Sequence, residues 1–130
     1  MPRNTKETSI NSIPEFLCGY FNAGHPGAEL VPETWRDGCA SLWLTGGGAD
    51  TVYVDGSRRM ALPFEIRIRC HGRTVNDRLD AIAFFTNLGT IIASGQADIA
   101  VTSGASKSAV YENGEEEYRA SYVLKYHKSN

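Results

Sequence analysis

The sequence predicts an α+β domain, with a mixed, mainly antiparallel sheet covered on one face by a long helix and a short N-terminal helix. Three stretches carry that expectation. From Met60 to His71, Leu62, Phe64, Ile66, Ile68 and Cys70 alternate with Glu65, Arg67, Arg69 and His71. A period of two places these sets on opposite faces of one strand, one apolar and one charged. Near the C-terminus, Tyr118, Ala120, Tyr122, Leu124 and Tyr126 alternate with Arg119, Ser121, Val123 and Lys125 in the same way. Between them, Val75, Leu79, Ile82, Phe85 (or Thr86) and Leu88 recur at three and four, the signature of a helix with one apolar stripe.

Taken in order, residues 1–8 are polar and expected to be mobile, as termini are when nothing ties them down. Ser12 is placed to cap a short helix through Phe21, with Pro14 tolerated in its first turn. Ile13, Phe16, Leu17, Tyr20 and Phe21 are its apolar residues, and Gly19 weakens it, so packing has to hold it. Residues 25–38 read as a loop rich in Pro, Gly and charge, with an extended piece at Leu30-Val31. Ala40–Leu44 is a strand stopped by Gly46-Gly47-Gly48. Val52–Val54 is extended, and Asp55-Gly56 is a turn before the long strand.

Gly72-Arg73-Thr74 breaks the strand pattern, and Thr74 caps the long helix, which runs to about Ala93 with Asp77 in its first turn. Gly95 marks its exit. Asp98–Thr102 reads as a strand, 103–108 as a flexible Ser/Gly/Ala/Lys stretch and Ala109–Tyr111 as extended. Glu112–Glu117 reads as a hairpin tip turning at Asn113-Gly114. The segment 103–117 is thus expected to be a flexible loop or hairpin, and the two long strands to lie side by side in mid-sheet.

The 130 residues amount to a single domain, 1–130, by length. A formal charge of −2 gives no bulk reason to bind nucleic acid or anionic membrane. The three cysteines are odd in number and widely spaced, with no CxxC pair, so reduced thiols are expected rather than a disulfide framework or structural zinc. The N-terminal residues have no apolar signal-peptide core, and no apolar run approaches the roughly 20 residues that cross a bilayer. A soluble intracellular protein is expected.

Catalytic constellations find little support. His25, His71 and His127 are scattered, away from metal-ligand spacing to Cys, Asp or Glu. Thr45–Asp50 lacks the Gly-Lys-[Ser/Thr] ending of a phosphate loop, and Ser103–Ser106 lacks the spacing of a nucleophile elbow. Cys70 and His71 are adjacent on a strand and point to opposite faces. Asp77 and Asp80 are explained as a solvated helix face. No enzyme activity, metal or other cofactor is expected.

The charges of the open sheet face remain: Glu65, Arg67, Arg69, His71, Arg119 and Lys125. With the long strands as neighbours they form a mixed, mostly basic stripe, a candidate subunit interface or DNA-facing lumen surface. No aromatic residue is expected to be interleaved on that face, which argues against a single-stranded nucleic-acid platform. Because these side chains are expected to be wet, charge reversal at Arg67 and Arg69 is expected to leave the fold intact. Gly46, Gly47 and Gly48, with Glu115, Glu116 and Glu117, are candidate flexible assembly loops.

In element order and texture the chain resembles the minor capsid and tail-terminator proteins of long-tailed bacteriophages and prophages. The resemblance rests on the strand LPFEIRIRCHGRT running directly into the helix VNDRLDAIAFFTNLGTII, and on the closing strand YRASYVLKYHK. It extends over residues 12–127. The Glu112–Glu117 tip and the Ser/Gly stretch before it depart from the family pattern.

The resemblance implies a virion protein of the tail or neck, assembled in the host cytoplasm. Such a protein forms a homo-oligomeric ring, usually a hexamer, that caps the tail tube and joins it to the head. Its implied partners are further copies of itself, the tail-tube protein and the head connector or neck protein. DNA would pass through its lumen without sequence-specific binding, and no membrane is involved. The alternative is a small-ligand-binding module or enzyme whose pocket lies between a curved sheet and the helix, lined by Tyr118, Tyr122 and Tyr126.

Overall fold

The computed structural model describes residues 13–36, 38–71, 74–95 and 97–129. The expected mobility of residues 1–8, the Ser12 cap and the Gly72-Arg73 break lie outside the described residues.

The fold is α+β. In chain order its elements are α1 (Ile13–Ala23), β1 (Leu30–Pro32), β2 (Ala40–Leu44), β3 (Gly48–Val52), β4 (Arg58–Cys70), α2 (Val75–Ala93), β5 (Ile99–Val110) and β6 (Glu116–Lys128). The strands make one mixed sheet in the order β1-β2-β4-β6-β5, with β3 also on β4. Among the described residues only the β1–β2 pair is parallel. The two long strands are neighbours in mid-sheet, as their alternation predicts, paired antiparallel from Arg58↔Lys128 to Cys70↔Glu116.

Alternation places Leu62, Phe64 and Ile66 of β4 with Tyr118, Ala120, Tyr122 and Leu124 of β6 in the core. Phe64 stacks on Tyr122 at 5.2 Å between ring centres, and Phe21 of α1 lies 6.4 Å from Phe64 and 6.5 Å from Tyr122. Leu17, Cys18 and Phe21 are the buried side of α1, whereas Phe16 is exposed. Asn22 ties α1 to β1 twice, its side-chain oxygen accepting from Leu30 N (2.8 Å) and its amide donating to Leu30 O (3.0 Å).

Thr74 caps α2 as expected, its hydroxyl accepting from Asp77 N at 3.2 Å. The buried row of α2 matches the expected one only in part: Phe85 and Leu88 are buried as expected, Ala81 and Phe84 join them, and Val75, Leu79 and Ile82 are instead 64%, 52% and 46% exposed. The helix carries two overlapping apolar rows that share Phe85 and Leu88, and the one that also holds Phe84 offers more area to remove from water, so it is the one buried.

Two connections are also corrected. Residues 103–108 are part of β5 rather than a flexible stretch; they pair with β6 through repeated bulges, which small residues tolerate. The short strand after the triple glycine is Gly48–Val52, and Tyr53–Ser57 is the turn. β2 and β3 lie along the same edge of β4, on its residues 64–67 and 58–61, so Gly46-Gly47 is a break within one interrupted edge.

Candidate functional site

The outer face of the sheet gathers most of the predicted charges. Register places Arg67 opposite Arg119, a like-charge pair that would repel if left alone. Glu65, one alternation away, bridges them: Arg67 donates to one carboxylate oxygen, and Arg119 lies 3.4 Å from the other. Glu65 is thereby 8% exposed, buried where a wet residue was expected. Lys125 lies farther along the sheet and pairs with Asp50 at 3.7 Å.

Arg69 is opposite Glu117 and 3.7 Å from its carboxylate. Its guanidinium lies 4.1 Å from the centre of the Trp35 ring and 4.5 Å from that of Tyr111, and it donates to the Tyr111 hydroxyl at 3.2 Å. Tyr111 in turn donates to Glu117 at 2.8 Å, and Ser108 donates to the other Glu117 oxygen at 2.9 Å. Glu117, 4% exposed, therefore has three partners. It lies within β6 rather than at a flexible tip.

Glu116 is likewise in β6 and buried, on the core side of the sheet. Arg78 of α2 and Lys107 of β5 each lie 3.2 Å from one of its oxygens, and the Tyr118 hydroxyl donates to it at 3.4 Å. Removal from water pushes its pKa up, but the Lys107 and Arg78 hydrogen bonds outweigh that and hold it below the usual glutamate value. Glu115 alone of the three acids belongs to the turn, where its N–H donates to the Asn113 side chain.

Aromatic residues do occupy this face, contrary to expectation. Trp43 of β2 lies opposite Glu65, 6.2 Å from Trp35 and 5.9 Å from the Arg67 guanidinium. Its indole N–H donates to Ser41 at 2.8 Å. The alternation Ser41, Trp43 against Ala40, Leu42, Leu44 was the available signal. Trp35 and Tyr111 lie outside regular strands, so no periodicity marks them. His71, just past β4, is exposed and lines a surface hollow with Trp35, Arg36, Cys39 and Arg69.

The tyrosines of the pocket alternative pack inward. Tyr118 and Tyr122 belong to the core and Tyr126 packs against it. Burial pushes the Tyr122 phenol well above its ordinary value. Among the described residues no group of three or more His, Cys, Asp or Glu side chains is placed to hold a metal, and no helix is long and apolar enough to cross a membrane.

What this face can do chemically is hold strands together: Glu65 and Glu117 are buried against cations and hydroxyls, and Arg67, Arg69, Arg119 and Lys125 each lie against an acid. No protein-family model matches the chain, and no curated protein matches it.

Proposed function

We propose that this chain is a structural virion protein, a tail-terminator subunit that forms a ring on the end of a phage tail tube and joins it to the head. The observation that carries the reading is the use made of the charged side chains. Glu65, Glu116 and Glu117 are spent on internal pairing. The large exposed apolar residues instead include Val52, Tyr53 and Val54 at the β3–β4 turn, and Val75, Leu79 and Val110 on α2 and β5. Separate apolar patches on a small chain suit a subunit that meets neighbours on more than one side.

The elements that support the reading are the short N-terminal helix, the long strand followed by a long helix, and the tyrosine-bearing strand beside the first; β2 and β3 form no hairpin of their own, each pairing instead with β4. On this reading the partners are further copies of the chain in a ring, usually of six, the tail-tube protein and the head connector. DNA passes through the lumen with no base readout, and assembly takes place in the host cytoplasm. A ligand pocket lined by Tyr118 and Tyr122 is not favoured, because those rings fill the core.

Deletion of the gene from the phage or prophage that carries it tests the proposal. Electron microscopy of lysates should reveal tails of uncontrolled length without heads, reversed by supplying the gene in trans. Intact virions at undiminished yield would overturn it.

A further inference from the structure

The long axis of the sheet is polar. β4, 13 residues long, spans about 40 Å at ~3.3 Å per residue. At its start a β arm carries Val52, Tyr53 and Val54 on its turn, exposed by 67%, 45% and 109%. Beside them are Arg58, Arg59 and Lys128, brought together by the pairings Val52↔Arg58 and Arg58↔Lys128. Among the described residues no carboxylate pairs with these three cations. The acids nearby are engaged: Asp50 by Lys125 at 3.7 Å, and Asp55 by the Ser57 hydroxyl at 2.6 Å and amide at 2.9 Å.

The opposite end has the complementary character. α2 begins five residues after β4 ends, and Val110 lies opposite Glu116, itself opposite Cys70, so all three elements meet there. Val75, Leu79 and Val110 are exposed at that end. Asp77, Asp80, Glu112 and Glu115 are acids there without a cationic partner among the described residues. Among the described residues, Arg69, Arg78 and Lys107 at that end are taken up by Glu116 and Glu117, and Arg36 lies 3.9 Å from Glu29.

We infer that the basic, apolar-tipped arm of one copy docks on the acidic, apolar end of a second copy, head to tail. Apolar meets apolar at the centre, and opposite charges meet at the rim. An interface between two different patches on opposite ends of one subunit is heterologous, and it closes into a ring when the rotation per subunit divides the circle. Rim charges of this kind set encounter rate and specificity more than affinity, and salt weakens them. The inference rests on the ring reading and deepens it by naming the surfaces.

A charge-swap experiment tests it, with mass followed by light scattering across concentration at low salt. Wild type should form a discrete oligomer. Arg58→Glu with Arg59→Glu makes the arm acidic, and Asp80→Lys with Glu112→Lys makes the far end basic. Each double variant should require roughly tenfold or more higher concentration to assemble. An equimolar mixture should return to wild-type behaviour, because each acidic arm then finds a basic end. A misfolded variant could not be rescued this way, so rescue reports on the interface and not on stability. Unchanged assembly of either variant, failure of the mixture, or a wild type that stays monomeric throughout would each overturn the inference. The ring reading is judged apart from this, by the tails of the deletion strain.

Discussion

The guanidinium of Arg69 rests 4.1 Å from the centre of the Trp35 ring, and Tyr111, 4.5 Å away, also donates a hydrogen bond to the carboxylate that Arg69 neutralises. A β4 side chain is thereby joined to a loop residue 34 positions earlier and to the foot of the β5–β6 hairpin 42 positions later. The contact pins two irregular segments to the end of β4. Arg suits this position because its plane stacks and its several N–H groups reach both partners, which a lysine ammonium cannot do.

Substitution at Arg69 should separate those roles. Arg69→Lys keeps the charge and loses the stacking, so unfolding free energy should fall by about 1 kcal/mol. Arg69→Ala also leaves Glu117 without its cation and should cost roughly 2 kcal/mol. Urea unfolding checks both, and an alanine variant as stable as wild type would remove the contact from any structural role.

Reversing Arg67 and Arg69 together is no longer expected to leave the fold intact. Arg67→Glu with Arg69→Glu would set new carboxylates against Glu65 and Glu117, which are 8% and 4% exposed. Stability should fall by roughly 3 kcal/mol or more. A variant that melts within a degree or two of wild type would mean these acids do not depend on their arginines.

The glycines of the triple glycine should not behave alike. Gly47 has φ +150°, and a Cβ there would meet Leu62 Cδ2 in the core, closer than atoms can approach. Gly47→Ala should therefore cost about 2 kcal/mol or more. Gly48 has nothing within 4 Å of that position, and Gly48→Ala should be close to neutral. Thermal melts of the two variants decide whether this connection is a fitted crossing or a loose one; equal melting points would favour the loose one.

Glu116 should contribute to acid sensitivity. Its folded pKa lies below the ordinary 4.5, so the stability it adds is fully present above that value and is lost as pH falls through the folded one. Glu116→Gln should be less stable than wild type near neutrality, and the difference should shrink as pH drops below 4.5. Melting temperature against pH for both proteins checks the sign. A gap that stays constant or widens toward acid would contradict the pairing.

The three thiols should differ in reactivity. Burial, with Glu15 nearby, pushes Cys18 up to about 12, whereas Cys39 and Cys70 are only half-buried. A thiol reagent near neutral pH should modify Cys39 and Cys70 first and Cys18 only on unfolding. Rapid labelling of Cys18 in the folded protein would place α1 in a loosely packed state.

Alternation in the two long strands was enough to foresee their faces, their adjacency, the Thr74 cap and the α+β class, because period two and capping chemistry are local properties of the chain. The same local rules placed Glu65, Arg67, Arg69 and Arg119 on one face. They placed Phe85 and Leu88 in the core but could not settle whether Val75, Leu79 and Ile82 or Ala81 and Phe84 join them, since both rows have helical spacing and only the fit against the core chooses. Nor could they reveal that Glu65, Glu116 and Glu117 are buried. An acid looks solvated in sequence until its partners arrive: Arg78 from a helix, Lys107 and Ser108 from an edge strand, and Trp35 and Tyr111 around Arg69 from connecting segments. Those meetings depend on sheet register and helix placement, long-range geometry that no window of residues contains. Tertiary structure alone decided which charges are used inside the subunit and which remain for a neighbour.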